Sequence, residues 1–205
     1  MPIDSALLAK SIAALTDLGP ERDLASTLGQ AVLAVKQLFM VDAAGIMLAD
    51  NDGRLRSASA SDQRAQTLED SQERLAAGPC AQAFTTGRPA VMRDATLEPS
   101  WGEVTHAFAE VRIRSGLSVP VRLGGRPIGT LDVYAAAPGG WDETEVSALQ
   151  ASAGVVAALL GAAARATVKS RLAEQLQAAL DASARPSRPG WRAATGLGMG
   201  LHSWT

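Results

Sequence analysis

Two side chains in this 205-residue chain have the chemistry of a reactive group, the thiol of Cys80 and the imidazole of His106. Cys80 follows Gly78 and Pro79 at the start of a predicted short helix, and a thiol near a helix N-terminus can have a lowered pKa. Free cysteine is also among the most buried residue types, so packing is the simpler interpretation. His106 could be a haem ligand, for which one well-placed histidine suffices. We expect both side chains to lie beside the same interior cavity.

Most catalytic chemistries are disfavoured by the residue types present. With a single cysteine, neither an intrachain disulfide nor a cysteine zinc cluster can form. The chain contains no GxxxxGK[ST] phosphate loop, no HExxH pair and no plausible Ser/His/Asp set. Its carboxylates are scattered over predicted helix faces, where solvation explains them. We therefore predict a protein that is not an enzyme, with any cofactor unknown.

The middle of the chain is where a small ligand is predicted to bind. Aromatic residues are scarce, at 4% of the chain, yet several fall in this region together with two methionines. Such side chains are typical of an apolar pocket. The same side chains are equally compatible with ordinary core packing. The predicted ligand-binding residues are Met47, Cys80, Phe84, Met92, Trp101, His106, Phe108, Ser118 and Thr130.

A predicted β-hairpin at residues 115–134 must help to position these side chains. Apolar residues alternate with others along 117–123, the period of a strand with one buried face. Gly124 and Gly125 supply the positive φ angles of a tight turn. In the second strand, Leu131 and Val133 fall on one face and Ile128, Thr130, Asp132 and Tyr134 on the other. Small residues such as Gly129 indicate close approach, which we assign to helix packing in preference to a ligand.

The order of predicted elements gives an α+β fold. Helices at residues 5–15 and 21–39 precede a hairpin at 43–61, and residues 62–75 form a surface helix or mobile connection. Short helices begin near residues 79 and 102, around a brief strand at 90–93. An antiparallel sheet accounts for this order if the terminal helices cover one face and the short helices and loops cover the other. That second face is predicted to hold the ligand cavity.

The C-terminal helix is predicted to make a dimer. Asp142 can cap its start, and apolar residues then recur at intervals of three and four, as in a coiled-coil seam. A seam of this length exceeds what one small sheet can cover, so its outer half needs a partner, most simply a second copy. A change of register near Thr167 could provide two signalling states. The predicted dimer residues are Val146, Leu149, Ala153, Val156, Leu160 and Ala163.

Composition is that of a globular protein, with 47% hydrophobic and 20% charged residues and a net charge of −2. No apolar run reaches the roughly 18 residues that span a bilayer, and the N-terminus has no secretory pattern. We therefore expect a cytoplasmic protein without a membrane partner. The residues before 164 carry a net negative charge, whereas the tail from residue 164 is basic. The acidic part is therefore an unlikely nucleic-acid surface. Predicted segments are an N-terminal helix (1–20), one domain (21–164), a helical continuation (165–183) and a disordered tail (184–205).

Residues 21–164 resemble the GAF family of sensory domains. The resemblance rests on the hairpin and helix RLGGRPIGTLDVYAAAPGGWDETEVSALQASAGVVAALL at 122–160. The segments GPCAQAF (78–84), RSGLSVPV (114–121) and LAEQLQAAL (172–180) are similar to actinobacterial proteins in which a GAF domain precedes an RNA-binding ANTAR domain that acts in transcription antitermination. No A-K-G motif follows residue 180. We interpret this as an ANTAR domain lost by frameshift or truncation, so RNA binding is not predicted for this chain.

The resemblance implies a homodimeric regulator that binds a small ligand in the GAF cavity and signals through its C-terminal helix. A structural dimerisation module without ligand, or a haem or flavin redox sensor, are the alternatives. Bilin attachment in related domains commonly uses a cysteine next to a histidine, whereas Ala81 follows Cys80 here. Methionine-sulfoxide reductases on this fold use several cysteines. The N-K-x-F-x-D-E pattern of cyclic-nucleotide GAF domains is absent, since Asn51 is the only asparagine.

Overall fold

A computed structural model describes residues 24–183, with side chains to residue 178. The predicted helix at residues 5–15 and the predicted tail at 184–205 lie outside this range. The helices, numbered here in chain order, are α1 (Leu24–Phe39), α2 (Gln63–Leu75), α3 (Pro79–Thr86), α4 (Val104–Glu110) and α5 (Glu143–Ser183). The strands are β1 (Ala43–Ala49), β2 (Leu55–Ala60), β3 (Ala90–Met92), β4 (Ser115–Leu123) and β5 (Arg126–Ala135). Two 3₁₀ turns, Ala95–Leu97 and Pro99–Trp101, precede α4.

The five strands form one antiparallel sheet in the order β2-β1-β5-β4-β3. Both predicted hairpins are present. Gly124 and Gly125 have φ angles of 59° and 81° in the β4–β5 turn, which a residue with a Cβ adopts only with strain. The second half of the hairpin, β5, lies in the middle of the sheet, because β1 pairs along its other edge. A site on β5 is therefore flanked by strands on both sides.

One face of the sheet is closed by an apolar core under α1 and α5. Leu28, Val32 and Val35 of α1 meet Leu131 and Val133 of β5 in this core. Alternation along the strand explains which residues these are, since successive side chains of β5 point to opposite faces. The fold class predicted from the sequence, an α+β fold with an antiparallel sheet and a long C-terminal helix, is confirmed.

The start of α5 is fixed by a reciprocal cap. The Glu145 amide donates to Asp142 Oδ1 at 2.8 Å, and the Asp142 amide donates to Glu145 Oε2 at 2.9 Å. Both bonds satisfy N–H groups that the helix itself leaves without partners. The cap predicted at Asp142 is thus present, with Glu145 as its second member.

The apolar stripe of α5 packs largely on the chain's own sheet. Leu149, Ala153 and Val156 are buried in the core, and Val146 and Leu160 are partly buried against it. Ala163 is half-buried. This corrects the picture of these residues as a seam open to a partner helix, because an apolar side chain already covered by a sheet has little surface left to bury. Beyond residue 165, where a second unit of the chain (166–205) begins, Val168, Leu172 and Leu176 are exposed by 67%, 55% and 58%.

By length and composition alone, α5 contains a window apolar enough to cross a membrane, which the sequence analysis did not anticipate. A third of that window, 33%, is buried. Leu149, Ala153 and Val156 of this helix are buried against the sheet.

Of the two alternatives predicted for residues 62–75, the structure has the helix, and α2 buries Leu68, Glu69 and Gln72 against the second face of the sheet. One local prediction is wrong. Gly129 does not make room for a helix. A Cβ there would lie 2.0 Å from the carbonyl oxygen of Met47 on β1, so the small residue accommodates a neighbouring strand.

Candidate functional site

The second face of the sheet carries polar residues at one level of three adjacent strands. Asp132 on β5 is paired with Gly45 on β1 and with Ser118 on β4. Adjacent strands are about 4.8 Å apart. A carboxyl group and a hydroxyl group are therefore neighbours at the centre of the sheet, beside a position that has no side chain.

Helix α2 places a second carboxyl group over that empty position. A Cβ on Gly45 would lie 2.0 Å from Glu69 Oε1, so glycine is what makes room for Glu69. The helix is anchored at its start by Asp62, whose side chain accepts from the amides of Arg64 and Ala65. Lys36 of α1 pairs with Asp62 at 2.5 Å. These contacts hold α2 against the sheet with Glu69 facing inward.

Tyr134 and Gln72 connect the helix to the strand. The Tyr134 hydroxyl donates to Glu69 Oε1 at 2.9 Å and accepts from Gln72 Nε2 at 3.0 Å. Gln72 Oε1 in turn accepts from the Cys80 amide at the start of α3, at 3.2 Å. Gly78, with φ of 103°, leaves space for this amide oxygen, since a Cβ there would lie 2.5 Å from Gln72 Oε1. One chain of hydrogen bonds thus links α2, α3 and β5.

We call Glu69, Gln72, Ser118, Thr130, Asp132 and Tyr134 the acidic cluster. All six are buried, with Glu69, Ser118 and Asp132 at 0% exposure. Thr130 Oγ1 donates to Asp132 Oδ2 at 2.8 Å. Among the described residues, five buried side-chain polar atoms lack a hydrogen-bond partner, and three of these belong to the cluster: Glu69 Oε2, Ser118 Oγ and Asp132 Oδ1. Native interiors rarely leave such atoms unsatisfied, so their concentration at one place marks a site.

Burial dominates the electrostatics of the cluster. It raises the pKa of Asp132 to about 7, although the nearby Ser118 and Thr130 hydroxyls act to lower it. Burial and then the Asp132 charge raise the pKa of Glu69 well above its usual range. None of the ion pairs in residues 24–178 includes either carboxyl group. Two acids are therefore held in a dry, uncompensated environment, an arrangement that is more frequent at functional sites than elsewhere.

Cys80 borders the cluster but is not a reactive thiolate. Burial, followed by the charges of Asp132 and Glu69, raises the pKa of its thiol well above the usual value. A nucleophilic cysteine needs the opposite environment, one with neighbouring positive charge. Within the described residues, no group of three or more histidine, cysteine or carboxylate side chains has the arrangement of a metal site.

The predicted ligand-binding residues are divided among four environments. Ser118 and Thr130 belong to the acidic cluster, and Met47 is buried opposite Thr130 in the β1–β5 register. Met92 and Phe108 lie in an apolar cluster, where the Phe108 ring meets Tyr134 edge-on at 5.7 Å between centroids. Trp101 is half-buried at the margin of that cluster. Phe84 lines a surface pocket described below.

His106 does not face the same cavity as Cys80, so that prediction is wrong. Its side chain is exposed on α4 and lines a separate surface pocket of about 520 Å³ with Arg112 and Arg114. In an α-helix, residues three or four positions apart lie on the same face, so only every third or fourth residue of α4 faces inward. Val104, Ala107 and Phe108 take those positions, which leaves His106 outside.

Sequence reasoning missed four members of the cluster, namely Glu69, Gln72, Asp132 and Tyr134. A signal was available for two of them. Asp132 and Tyr134 share a strand face with Thr130, and a central strand with polar residues at alternate positions on a covered face indicates a buried polar site. Glu69 and Gln72 lie in a polar helix, where nothing in the sequence distinguishes a buried carboxylate from a solvated one.

A surface pocket of about 730 Å³ reaches the acidic cluster through Gln72. The pocket lies between β2 and helices α2 and α3, and Gln72 is a residue both of its wall and of the cluster. Its wall carries both charges, with Arg54, Arg56 and Arg74 beside Asp70 and Glu73. Arg56 is paired with Asp50 and Glu73. The volume is within the usual range for small-molecule sites.

Solved structures with this fold include sensors and an enzyme. A free methionine-R-sulfoxide reductase from Neisseria meningitidis is 23% identical, with a TM-score of 0.61 over 78% of this chain and 89% of that one. A domain of a putative two-component sensor histidine kinase from Sinorhizobium meliloti 1021 is 16% identical, with a TM-score of 0.61 over 74% and 99%. The GAF domain of the cyanobacteriochrome TePixJ is 18% identical, with a TM-score of 0.58 over 73% and 94%. At these identities the likeness shows the fold alone.

A search of curated proteins finds no match. The family model for the GAF domain matches residues 21–160, which include every strand of the sheet and the whole acidic cluster. That match covers well over half of the chain and agrees with the observed strand order and helix placement. This chain therefore belongs to the GAF domain family.

Proposed function

We propose that this protein is a sensory regulator that binds a small ligand at the acidic cluster and is not an enzyme. The observation that carries the proposal is the group of three buried oxygens without hydrogen-bond partners, Glu69 Oε2, Ser118 Oγ and Asp132 Oδ1. A folded chain without ligand bears the cost of these atoms, of order 1–3 kcal/mol each. A ligand that supplies donors there recovers that free energy on binding.

The absence of an activated nucleophile supports a binding role over catalysis. Cys80, the single cysteine of the chain, is buried and has a raised pKa. The similar reductase fold therefore does not bring reductase chemistry with it. His106 is exposed on α4 with no second histidine nearby in the sequence, which gives no support to the haem alternative.

Native mass spectrometry of the purified protein tests ligand binding. We expect a non-covalent adduct of a small molecule that disappears under denaturing conditions. The bare chain mass alone, together with no stabilisation by any compound in a thermal-shift library, would favour the structural dimerisation module instead. An absorption spectrum of the same sample separates both from a haem or flavin sensor.

We propose that the signal leaves through α5 in a homodimer. Asp132 and Tyr134 lie on β5, and β5 leads through a short loop into α5. Along α5, Val168, Leu172 and Leu176 form an exposed apolar stripe at intervals of four, which suits a second copy of the same helix. Light scattering tests this: Leu172→Lys should yield monomers, whereas Ser170→Lys, on the opposite side of the helix, should leave the dimer intact. A dimer that survives Leu172→Lys contradicts the stripe.

The resemblance to GAF-ANTAR proteins supports a further proposal, that this chain derives from a GAF-ANTAR transcription antiterminator. The segments at residues 78–84 and 114–121 carry it, and the second of these includes Ser118 of the acidic cluster. Translating the gene in its other two frames beyond Leu180 tests the proposal, since a helical sequence with an A-K-G motif is expected in one of them.

A cytoplasmic location stays a prediction, which fractionation of cells expressing a tagged chain can check.

A further inference from the structure

We infer that the ligand of the acidic cluster is a small organic molecule with one protonated amine, whose ammonium group binds between Glu69, Asp132 and Ser118. This inference rests on the proposed function and gives the chemical class of the ligand. It follows from charge, from the number of unsatisfied acceptors and from the pocket that leads to them.

Charge excludes an anionic group at the cluster. Glu69 and Asp132 are both at 0% exposure, and no ion pair of the described residues includes them. The other members of the cluster, two aliphatic hydroxyls, a phenol and an amide, are neutral. A buried carboxylate without a counter-charge is costly, while a paired one is tolerated. A cation is therefore the group that compensates this site.

The number of unsatisfied atoms matches an ammonium group. An –NH₃⁺ group has three N–H donors and no acceptor. The cluster offers three oxygens without partners, Glu69 Oε2, Asp132 Oδ1 and Ser118 Oγ. They belong to one level of the sheet, since Asp132 pairs with Ser118 on one side and with Gly45, beneath Glu69, on the other.

A divalent metal ion fits the cluster poorly. Calcium takes six to eight oxygen ligands and magnesium six in a near-ideal octahedron. The cluster has two carboxyl groups, and one oxygen of each already accepts a hydrogen bond, from Tyr134 and from Thr130. Among the described residues, no third histidine, cysteine or carboxylate joins them in a metal-binding group.

The adjoining pocket limits the rest of the ligand. Gln72 separates the pocket of about 730 Å³ from the cluster, and its side chain is held there by Tyr134 and the Cys80 amide. Entry to the cluster from this pocket therefore requires Gln72 to give up these two hydrogen bonds. Arg54, Arg56 and Arg74 outnumber the two acidic residues of its wall, Asp70 and Glu73, so this wall gives a second positive charge no advantage. The ligand thus has its single ammonium at the buried end, with a neutral or anionic body beside Phe84.

Thermal-shift and calorimetric titrations of the full chain with simple amines test the inference. The probes are methylammonium, n-butylammonium and phenethylammonium chlorides, compared with 1-butanol, sodium butyrate and potassium chloride at equal ionic strength. We expect at least one amine to stabilise the protein at pH 8 and to bind more weakly at pH 5. Binding needs ionised carboxyl groups, and the titratable groups that interact with Asp132 are Glu69 of α2, Cys80 of α3 and Tyr134 of its own strand.

Variants make the test specific. Asp132→Asn and Glu69→Gln should each weaken amine binding about tenfold or more, as expected for loss of a hydrogen bond to a charged group. Both remove a buried carboxyl group and should fold. Glu110→Gln, which removes an exposed carboxylate from α4, should change binding less than about twofold.

Several outcomes overturn the inference. The inference is wrong if none of the amines stabilises the protein, or if butanol, butyrate or potassium ion stabilises it as much as the amines do. It is also wrong if Asp132→Asn binds the amines as tightly as the wild type does. Native mass spectrometry distinguishes this failure from failure of the proposed function. A co-purified molecule without an amine would retain the sensor and exclude the ammonium site, whereas no bound molecule and no stabilising compound would remove both.

Discussion

The two faces of the sheet are built from alternate residues of the same strands and have opposite characters. On one face, Leu131 and Val133 of β5 meet α1 and α5 in a core of apolar side chains. On the other, Thr130, Asp132 and Tyr134 meet α2 and α3 in a buried polar network with unsatisfied oxygens. Burial without satisfied polar groups costs free energy. The comparison indicates that the first face supplies stability and the second gives up some of it for binding.

The largest expected effect is on the dependence of stability on pH. Because the pKa of Asp132 is about 7 in the folded chain and 3.8 is its ordinary value, the folded state holds the proton more tightly. Stability from this group is full below pH 4 and is lost as pH rises towards 7. The three-unit shift corresponds to at most about 4 kcal/mol.

Urea unfolding at pH 5 and pH 8 measures this loss. The free energy of unfolding should fall between pH 5 and pH 8 in the wild type and fall less in Asp132→Asn, where the raised pKa of Glu69 still contributes part of the dependence. Asp50 and Asp94 have lowered pKa values, so their contribution changes below about pH 4, outside this window. Parallel profiles for wild type and variant would mean that Asp132 does not titrate in this range.

On the apolar face, Leu131→Ala should cost about 3 kcal/mol of unfolding free energy. Leu131 is at 0% exposure in the core, and truncation leaves a cavity that close-packed neighbours cannot fill. Leu123→Ala is the matched control, since Leu123 is 42% exposed and should cost less than about 1 kcal/mol. Equal losses at the two positions would show that this face is not the close-packed core described.

Gly45→Ala should cost about 2 kcal/mol, because its Cβ would lie 2.0 Å from Glu69 Oε1. The double variant Gly45→Ala with Glu69→Ala sharpens the test. Removing the Glu69 side chain makes room, so the two changes should be coupled by roughly 1 kcal/mol or more in a double-mutant cycle followed by urea unfolding. Strict additivity would indicate that Glu69 does not lie over Gly45.

Ser118→Ala should have the smallest effect on stability, below about 1 kcal/mol, since the Ser118 hydroxyl has no hydrogen bond of good geometry and only a weak interaction with Asp132 would be lost. Thr130→Val should cost more, because the Thr130 hydroxyl donates to Asp132. Thermal unfolding at pH 8 compares the two variants. A larger loss for Ser118→Ala would show that its hydroxyl already has a partner within the folded chain.

Much of the fold could be read from periodicity. Alternation along β4 and β5, the glycine pair between them and the cap at Asp142 are local signals, and each is present where expected. The site was less accessible. The sequence predicts Ser118 and Thr130, whereas His106, predicted to lie inside, is turned outward by α4, and the buried Glu69 is not among the predicted site residues. Amphipathic spacing separates apolar from polar faces, and it carries no information on which polar side chains are buried.

By itself, the sequence determined the element order, the two hairpins, the α+β class and the resemblance to GAF domains, because these depend on interactions between residues close along the chain. Only the tertiary structure decided that Glu69 lies over Gly45, beside Asp132 and Ser118. These residues are up to 87 positions apart, and what joins them is strand register and helix packing. The pKa of a carboxyl group depends on that surrounding space, so neither the acidic cluster nor its chemistry was visible in the linear pattern.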